Sequence, residues 1–168
     1  MEDLTRATGL QKGSLYSSFG NKEKLFQLAL RKYIGEGPFK ALNAKDALDA
    51  LVKLYRKLIL ESQETHMGKR GCLVFNSGIE FGNQKSSLSQ FVFGEFSRLE
   101  SFFEVLVQRA HDERLIPKEM DIRKAAFRAF AAAFTIREMA KIKSDAELLL
   151  EIASTALASL GTNRRVAL

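Results

Sequence analysis

Met1-Glu2-Asp3-Leu4-Thr5-Arg6-Ala7-Thr8-Gly9-Leu10-Gln11-Lys12-Gly13-Ser14-Leu15-Tyr16-Ser17-Ser18-Phe19-Gly20-Asn21-Lys22-Glu23-Lys24-Leu25-Phe26 opens the chain, and its punctuation predicts two short helices, a tight turn between them, and a longer third helix. Leu4 and Ala7 give the first piece an apolar side. Gly9 can take the left-handed backbone that ends a helix, after which Leu10 is expected to re-enter the core. A second helix is predicted from about Lys12 to Phe19, burying Leu15 and Phe19 at the i, i+4 spacing of one face. A scaffold helix, a glycine turn and a second helix with a free face is the grammar of a helix-turn-helix, whose second helix fits a major groove.

The free face carries matching chemistry. Gln11, Lys12, Ser14, Tyr16, Ser17 and Ser18 point away from Leu15 and Phe19. Lys12 and Gln11 sit at the leading end, where Lys can donate to guanine and Gln can pair with adenine. Gly13 has no side chain to hold the helix off the groove. Tyr16 offers a hydroxyl to a phosphate oxygen, and Lys22 adds charge at a helix start that already favours an anion. Residues 1–40 hold seven Lys or Arg against four Asp or Glu, half of the whole chain's net charge of +6. Such density suits phosphate contact, because neutralised phosphates release counterions.

Thr8-Gly9-Leu10-Gln11-Lys12-Gly13-Ser14-Leu15-Tyr16-Ser17-Ser18-Phe19, followed by Asn21-Lys22-Glu23-Lys24-Leu25, resembles the helix-turn-helix signature of the TetR family of bacterial transcriptional regulators. The shared elements are the Gly-Leu turn, the Gly-x-Leu-Tyr core, Phe three residues after the Tyr, and Lys-Glu-x-Leu opening the next helix. Gln11 departs from the usual Ser or Thr, which weakens the expected N-cap, and Ser18 stands where His or Tyr is common. The resemblance implies an all-α protein, with a head at 1–36, a helical effector-binding and dimerisation body at 37–162, and a flexible tail at 163–168. It also implies a further helix ahead of Glu2. On that expectation the head is N-terminally truncated, an incomplete reading frame or a remnant, with Leu4, Leu15, Phe19 and Leu25 short of packing partners.

The 168 residues suffice for a small head on a larger body. No apolar run approaches the roughly 20 residues of a membrane span and no signal-peptide pattern occurs, so the chain is expected in the cytoplasm. The single cysteine, Cys72, excludes an internal disulfide. Two histidines, His66 and His111, with no zinc-spaced cluster and no phosphate-binding glycine loop, argue against an enzyme and imply no metal and no cofactor.

Along the rest of the chain, a connector helix is predicted from Lys22 to Gly35, with Leu25, Phe26, Leu28, Ala29 and Tyr33 on two stripes and Gly37-Pro38 beyond it. An amphipathic helix from Ala44 to about Thr65 buries Leu48, Leu51, Val52, Tyr55, Leu58 and Ile59, with Asp46 at its dipole-favoured start. His66 to Gly71 is a solvated basic loop. Gly71 to Phe81 is a short apolar helix that is similar in its Gly-Cys-Leu-Val-x-Asn form to one TetR subgroup. Its Asn76 and Glu80 lie among apolar neighbours and need partners. Cys72, at a helix start, could have a lowered thiolate pKa and sense oxidants or electrophiles; its plainer reading is a small buried apolar residue.

A long helix from Ser87 to Arg114, with Asn83 or Ser86 as its starter, carries the stripe Phe91, Phe96, Phe102, Phe103. That stripe is core first, yet so much Phe can leave an aromatic-walled pocket. Candidate effector contacts are Phe75, Asn76, Glu80, Phe96, Phe103 and Phe127, for an apolar or aromatic small molecule. The last helices, about 122–142 and 145–160, have broad apolar faces rich in alanine, from which a homodimer through a four-helix bundle is inferred.

The leading reading is a ligand-responsive repressor whose paired heads bind operator DNA and are released when an effector occupies the body. The alternative is a dimeric small-molecule-binding body that has lost DNA binding.

Overall fold

A computed structural model describes residues 2–36, 44–64 and 70–168. Among these residues there are eight helices and no strand: α1 Glu2–Thr8, α2 Lys12–Phe19, α3 Lys22–Glu36, α4 Ala47–Gln63, α5 Leu73–Phe81, α6 Ser87–Asp112, α7 Ile122–Ile142 and α8 Ala146–Ala158. The predicted stop at Gly37-Pro38 and the basic residues His66 to Lys69 lie outside the described residues.

The helix starts are written in short polar side chains. Asn21 Oδ1 accepts from the Lys24 amide at 2.8 Å, Asp46 from Asp49 at 2.8 Å, Ser86 from Ser89 at 3.1 Å and Asp121 from Lys124 at 3.1 Å. Each satisfies a donor that the first turn of a helix leaves free, a contribution of about 1 kcal/mol apiece. Gln11 makes no such side-chain bond at the start of α2, as its length predicts. Gly9 (φ 69°) and Gly20 (φ 84°) close α1 and α2 with the positive φ that glycine adopts without strain.

The body is built around α4. Leu48, Leu51, Leu54, Tyr55, Leu58 and Ile59 are all buried, and α6, α7 and α8 pack against them. Removing such side chains from water stabilises the fold by roughly 1.5–3 kcal/mol each. Tyr55 keeps its hydroxyl bonded in this core by donating to the Ala129 carbonyl at 2.9 Å. Within α7, Ala125, Ala126, Ala129 and Ala133 face the protomer's own core. They allow close packing inside one body, so these four of the helix's alanines are taken up by the protomer's own core rather than by a dimer surface.

The head is thinner. Leu15 is buried and Phe19 half-buried, but α1 buries no residue, and Leu10 is 46% exposed rather than inserted in the core. The connector α3 meets the body through Phe26, Leu30, Tyr33 and Ile34. Leu28 and Ala29, expected on its packed stripes, face solvent. At the other end of the chain the tail is tied down: Arg164 forms a two-pronged bond to Asp46 at 2.6 and 2.9 Å, and Val166 is buried. The predicted frayed tail is therefore an anchored strap.

Candidate nucleic-acid interface and ligand cavity

Six of the eight head residues singled out from sequence, Gln11, Lys12, Gly13, Ser14, Ser17 and Ser18, lie exposed on or just ahead of α2, and Lys22 is exposed at the start of α3. Tyr16 is half-buried, and the Lys12 ammonium lies 5.8 Å from its ring centroid. That contact orients the lysine along the helix rather than into bulk water. A Cβ placed on Gly13 would meet nothing within 4 Å, so the helix presents bare backbone there. Ser17 donates its hydroxyl to the Ser14 carbonyl at 3.0 Å, leaving its oxygen free to accept.

Ring and polar contacts from four residues of the connector, Glu23, Phe26, Arg31 and Tyr33, fasten it to the body. The Phe26 ring meets Phe81 edge-on at 5.7 Å, and Ser87 donates to Glu23 at 2.8 Å. Arg31 pairs with Glu95 at 3.3 Å and lies over the Phe91 ring at 5.1 Å. The Arg137 guanidinium reaches the Tyr33 hydroxyl at 3.2 Å. Arg137 is only 5% exposed, and it also donates to Glu61 at 2.8 Å and to the Gly71 carbonyl at 3.0 Å. Glu95 is 3% exposed and held by both Arg31 and Arg98. Neither buried ionic group was singled out from sequence. The available signal was a charged residue amid apolar neighbours, Glu95 between Phe91-Val92-Phe93 and Phe96 and Arg137 after Phe134-Thr135-Ile136, since such a residue must find a partner when buried.

An apolar cavity of about 340 Å³ lies where α5, α6 and α7 meet. Phe75, Phe96, Phe127, Phe130 and Phe134 wall it, with Thr135, Glu138 and Met139 at its α7 side. The rings interlock: Phe96 stacks on Phe134 at 5.4 Å, and Phe130 meets Phe134 edge-on at 4.5 Å. The polar groups in the wall are already bonded. Thr135 donates to the Ala131 carbonyl, while Glu138 accepts from the Cys72 amide at 2.7 Å and from Lys141 at 3.0 Å. Among the described residues its wall therefore offers aromatic surface, with its polar side chains already bonded.

Of the six effector candidates, Phe75, Phe96 and Phe127 line this cavity. Phe103 does not: it is wholly buried behind the wall, edge-on to Phe130 at 5.5 Å. Asn76 bonds the Arg70 carbonyl and Lys141 instead, and Glu80 is exposed rather than buried. Asn76 thus finds the partners it needs within the protein, whereas Glu80 lies on the solvent side of α5. Phe130, Phe134 and Met139 also line the cavity and were not among the candidates drawn from sequence. A larger polar hollow of about 440 Å³, between α8 and the tail, shares no residue with the phenyl cavity.

Cys72 is buried, and burial pushes its thiol pKa up despite amides of α5 nearby. The low-pKa sensor reading is thereby corrected to the small buried residue. Burial also pushes Tyr33, beside that thiol, up to about 12, so it stays protonated as Arg137's neighbour. Among the described residues no group of His, Cys, Asp and Glu could hold a metal ion, and no helix is long and apolar enough to cross a membrane.

Comparison with known proteins reaches the half of the chain that the opening motif does not. The family described as "Tetracyclin repressor-like, C-terminal domain" matches residues 44–156. No curated protein sequence matches. Two solved structures share the fold, both cysteine mutants of the TetR family transcriptional regulator CifR complexed with 26-bp double-strand operator DNA. One gives a TM-score of 0.80 at 23% identity, over 95% of this chain and 85% of that one. The other gives 0.81 at 23% identity, over 95% and 84%.

Proposed function

The chain belongs to the TetR family of transcriptional regulators, a regulatory rather than an enzymatic family, and from that premise we propose that it is a cytoplasmic, homodimeric, ligand-responsive repressor. Its α2 helices, one per protomer, enter successive major grooves of a near-palindromic operator through Gln11, Lys12, Gly13, Ser14, Tyr16, Ser17, Ser18 and Lys22. A neutral aromatic molecule in the phenyl cavity releases the DNA.

One observation carries this reading. The connector α3 holds α2 at one end, and along its length it is bonded to Glu95 of α6 and Arg137 of α7, the two long helices that wall the cavity. On both, the bonding residue sits next to a cavity residue, Glu95 beside Phe96 and Arg137 beside Glu138. A ligand that rotates either helix therefore moves the connector, and with it the spacing of the two heads. The dimer surface is assigned to the groove of α7 and α8 lined by Ala131, Ala132, Ile152, Thr155 and Ala156, with exposed Leu148 and Ile142 nearby in sequence.

The test is operator selection from random duplexes, followed by fluorescence anisotropy with the protein and with Lys12→Ala and Tyr16→Ala. Sequence-specific binding weakened by either substitution is the expected result. Absence of any sequence-specific binding by the folded protein would favour the second reading, a dimeric small-molecule-binding body without operator affinity. The exposed Leu10 and the absence of any buried residue in α1 are what favour that alternative.

A further inference from the structure

Beside the phenyl cavity lies a second apolar groove of about 210 Å³, lined by Phe75, Gly78 and Ile79 of α5 and by Val92, Phe93 and Phe96 of α6. Phe75, Gly78 and Ile79 are spaced i, i+3, i+4, and Val92 and Phe93 lie four and three residues before Phe96, so each set shares one helix face and the two faces border a shared cleft. Phe75 and Phe96 also wall the cavity, which makes these two rings the partition between the spaces.

Three further features mark the groove as a place kept open. Ile79 is 68% exposed and Phe93 51% exposed, two large apolar side chains at its rim. Gly78 sits in the middle of α5, where glycine costs about 1 kcal/mol relative to alanine. A Cβ added there would meet nothing within 4 Å, so neither packing nor a positive φ requires the glycine. A longer side chain at that position would instead project over the groove.

Resting on the effector reading above, we infer that the effector site has two chambers and takes an elongated neutral molecule, an aromatic head among the phenyl rings and a linear apolar tail past Phe75 and Phe96 into the α5–α6 groove. The tail removes Ile79 and Phe93 from water, and its far end emerges at the solvent-facing rim, where a polar terminus keeps its hydration. The partition is made of side chains alone, so a tail passes by ring rotation without breaking a backbone bond.

Isothermal titration of the full chain with ω-phenylalkanols, from phenylethanol to phenyloctanol, reads the inference directly. Affinity is expected to rise about three- to fourfold per added methylene, the factor for burying one CH2 group. In Gly78→Leu the rise should vanish while phenylethanol binds as before. Ile79→Glu, at an exposed position and thus harmless to folding, should flatten the rise as well. Affinity that is independent of chain length, or a rise unchanged in both variants, would overturn the two-chamber site while leaving the phenyl cavity intact as the effector site. No binding of any member, phenylethanol included, would remove the cavity reading and the two-chamber site together. Operator anisotropy on the same samples keeps DNA binding as a separate readout.

Discussion

The guanidinium of Arg137 lies 3.2 Å from the hydroxyl of Tyr33, a bond between α7 and the connector that spans 104 residues of sequence. Arg137 is buried and keeps two other partners, Glu61 and the Gly71 carbonyl, so the bond to Tyr33 is the one that can be removed alone. Tyr33→Phe is expected to cost about 1 kcal/mol of stability, lowering Tm by about 2–4 °C. Operator affinity without ligand should be unchanged, whereas the ligand-induced loss of affinity should shrink several-fold, because the substitution cuts coupling rather than either site. Anisotropy titrations with and without ligand measure both; equal coupling in variant and parent would assign transmission to the remaining connector contacts, of Glu23, Phe26 and Arg31.

Lys12 and Lys22 are both exposed cations of the head, yet they are placed for different work. Lys12 stands at the leading end of α2, while Lys22 opens α3 next to the capped Asn21 turn. Lys22→Ala should weaken all duplexes alike and reduce the slope of log affinity against log salt by about 1. Lys12→Ala should in addition relax preference at one base pair of each half-site, a discrimination of about 1–3 kcal/mol. A salt series on the selected operator and its single-base variants separates the two; identical behaviour would place Lys12 on phosphate.

The architecture was legible because capping and periodicity agree. Lys12–Phe19 and Ile122–Ile142 were expected from apolar periodicity, and the structure keeps those limits and adds the Asp121 cap. The site was legible only where a residue's neighbours come from its own helix. Phe96 could be proposed from the aromatic stripe of α6 and lines the cavity, but Phe103, on the same helix, is turned into the core. Which face of a helix meets solvent depends on how the other helices pack, and that is a tertiary fact. The same holds for Arg164 and Val166, whose partners lie more than a hundred residues upstream or in the core. Their composition alone reads as a loose tail.

Cys72 offers a chemical check of burial. Its thiol is buried and its pKa is raised by desolvation, so little thiolate exists near neutral pH. Alkylation by iodoacetamide should proceed on the order of a hundredfold more slowly in the native protein than in urea, since reaction requires α5 to open locally. Cys72→Ser should leave ligand-dependent operator release unchanged. Fast native alkylation, or release that responds to peroxide in the parent and not in Cys72→Ser, would restore the sensor reading.

The tail strap makes a pH-dependent contribution whose sign is fixed by Asp46. Its carboxylate caps α4 and receives both prongs of Arg164, which with the Asp49 amide lowers its pKa from 3.8 to about 2. A carboxylate depressed in the folded state adds stability above its unfolded pKa and loses it as pH falls through the folded value. The gain is therefore complete above about pH 4 and fades towards pH 2. Both side chains remain partly hydrated, at 29% exposure for Arg164 and 17% for Asp46, so about 1 kcal/mol is the expected size rather than the full value of the shift. Arg164→Ala should lower Tm by about 2–4 °C at neutral pH. Urea unfolding of parent and variant should converge as the solution is acidified below about pH 4, because protonated Asp46 no longer distinguishes them. A gap that stays constant on acidification would mean that the strap holds through Val166 packing alone, and Val166→Ser would then reproduce the whole loss.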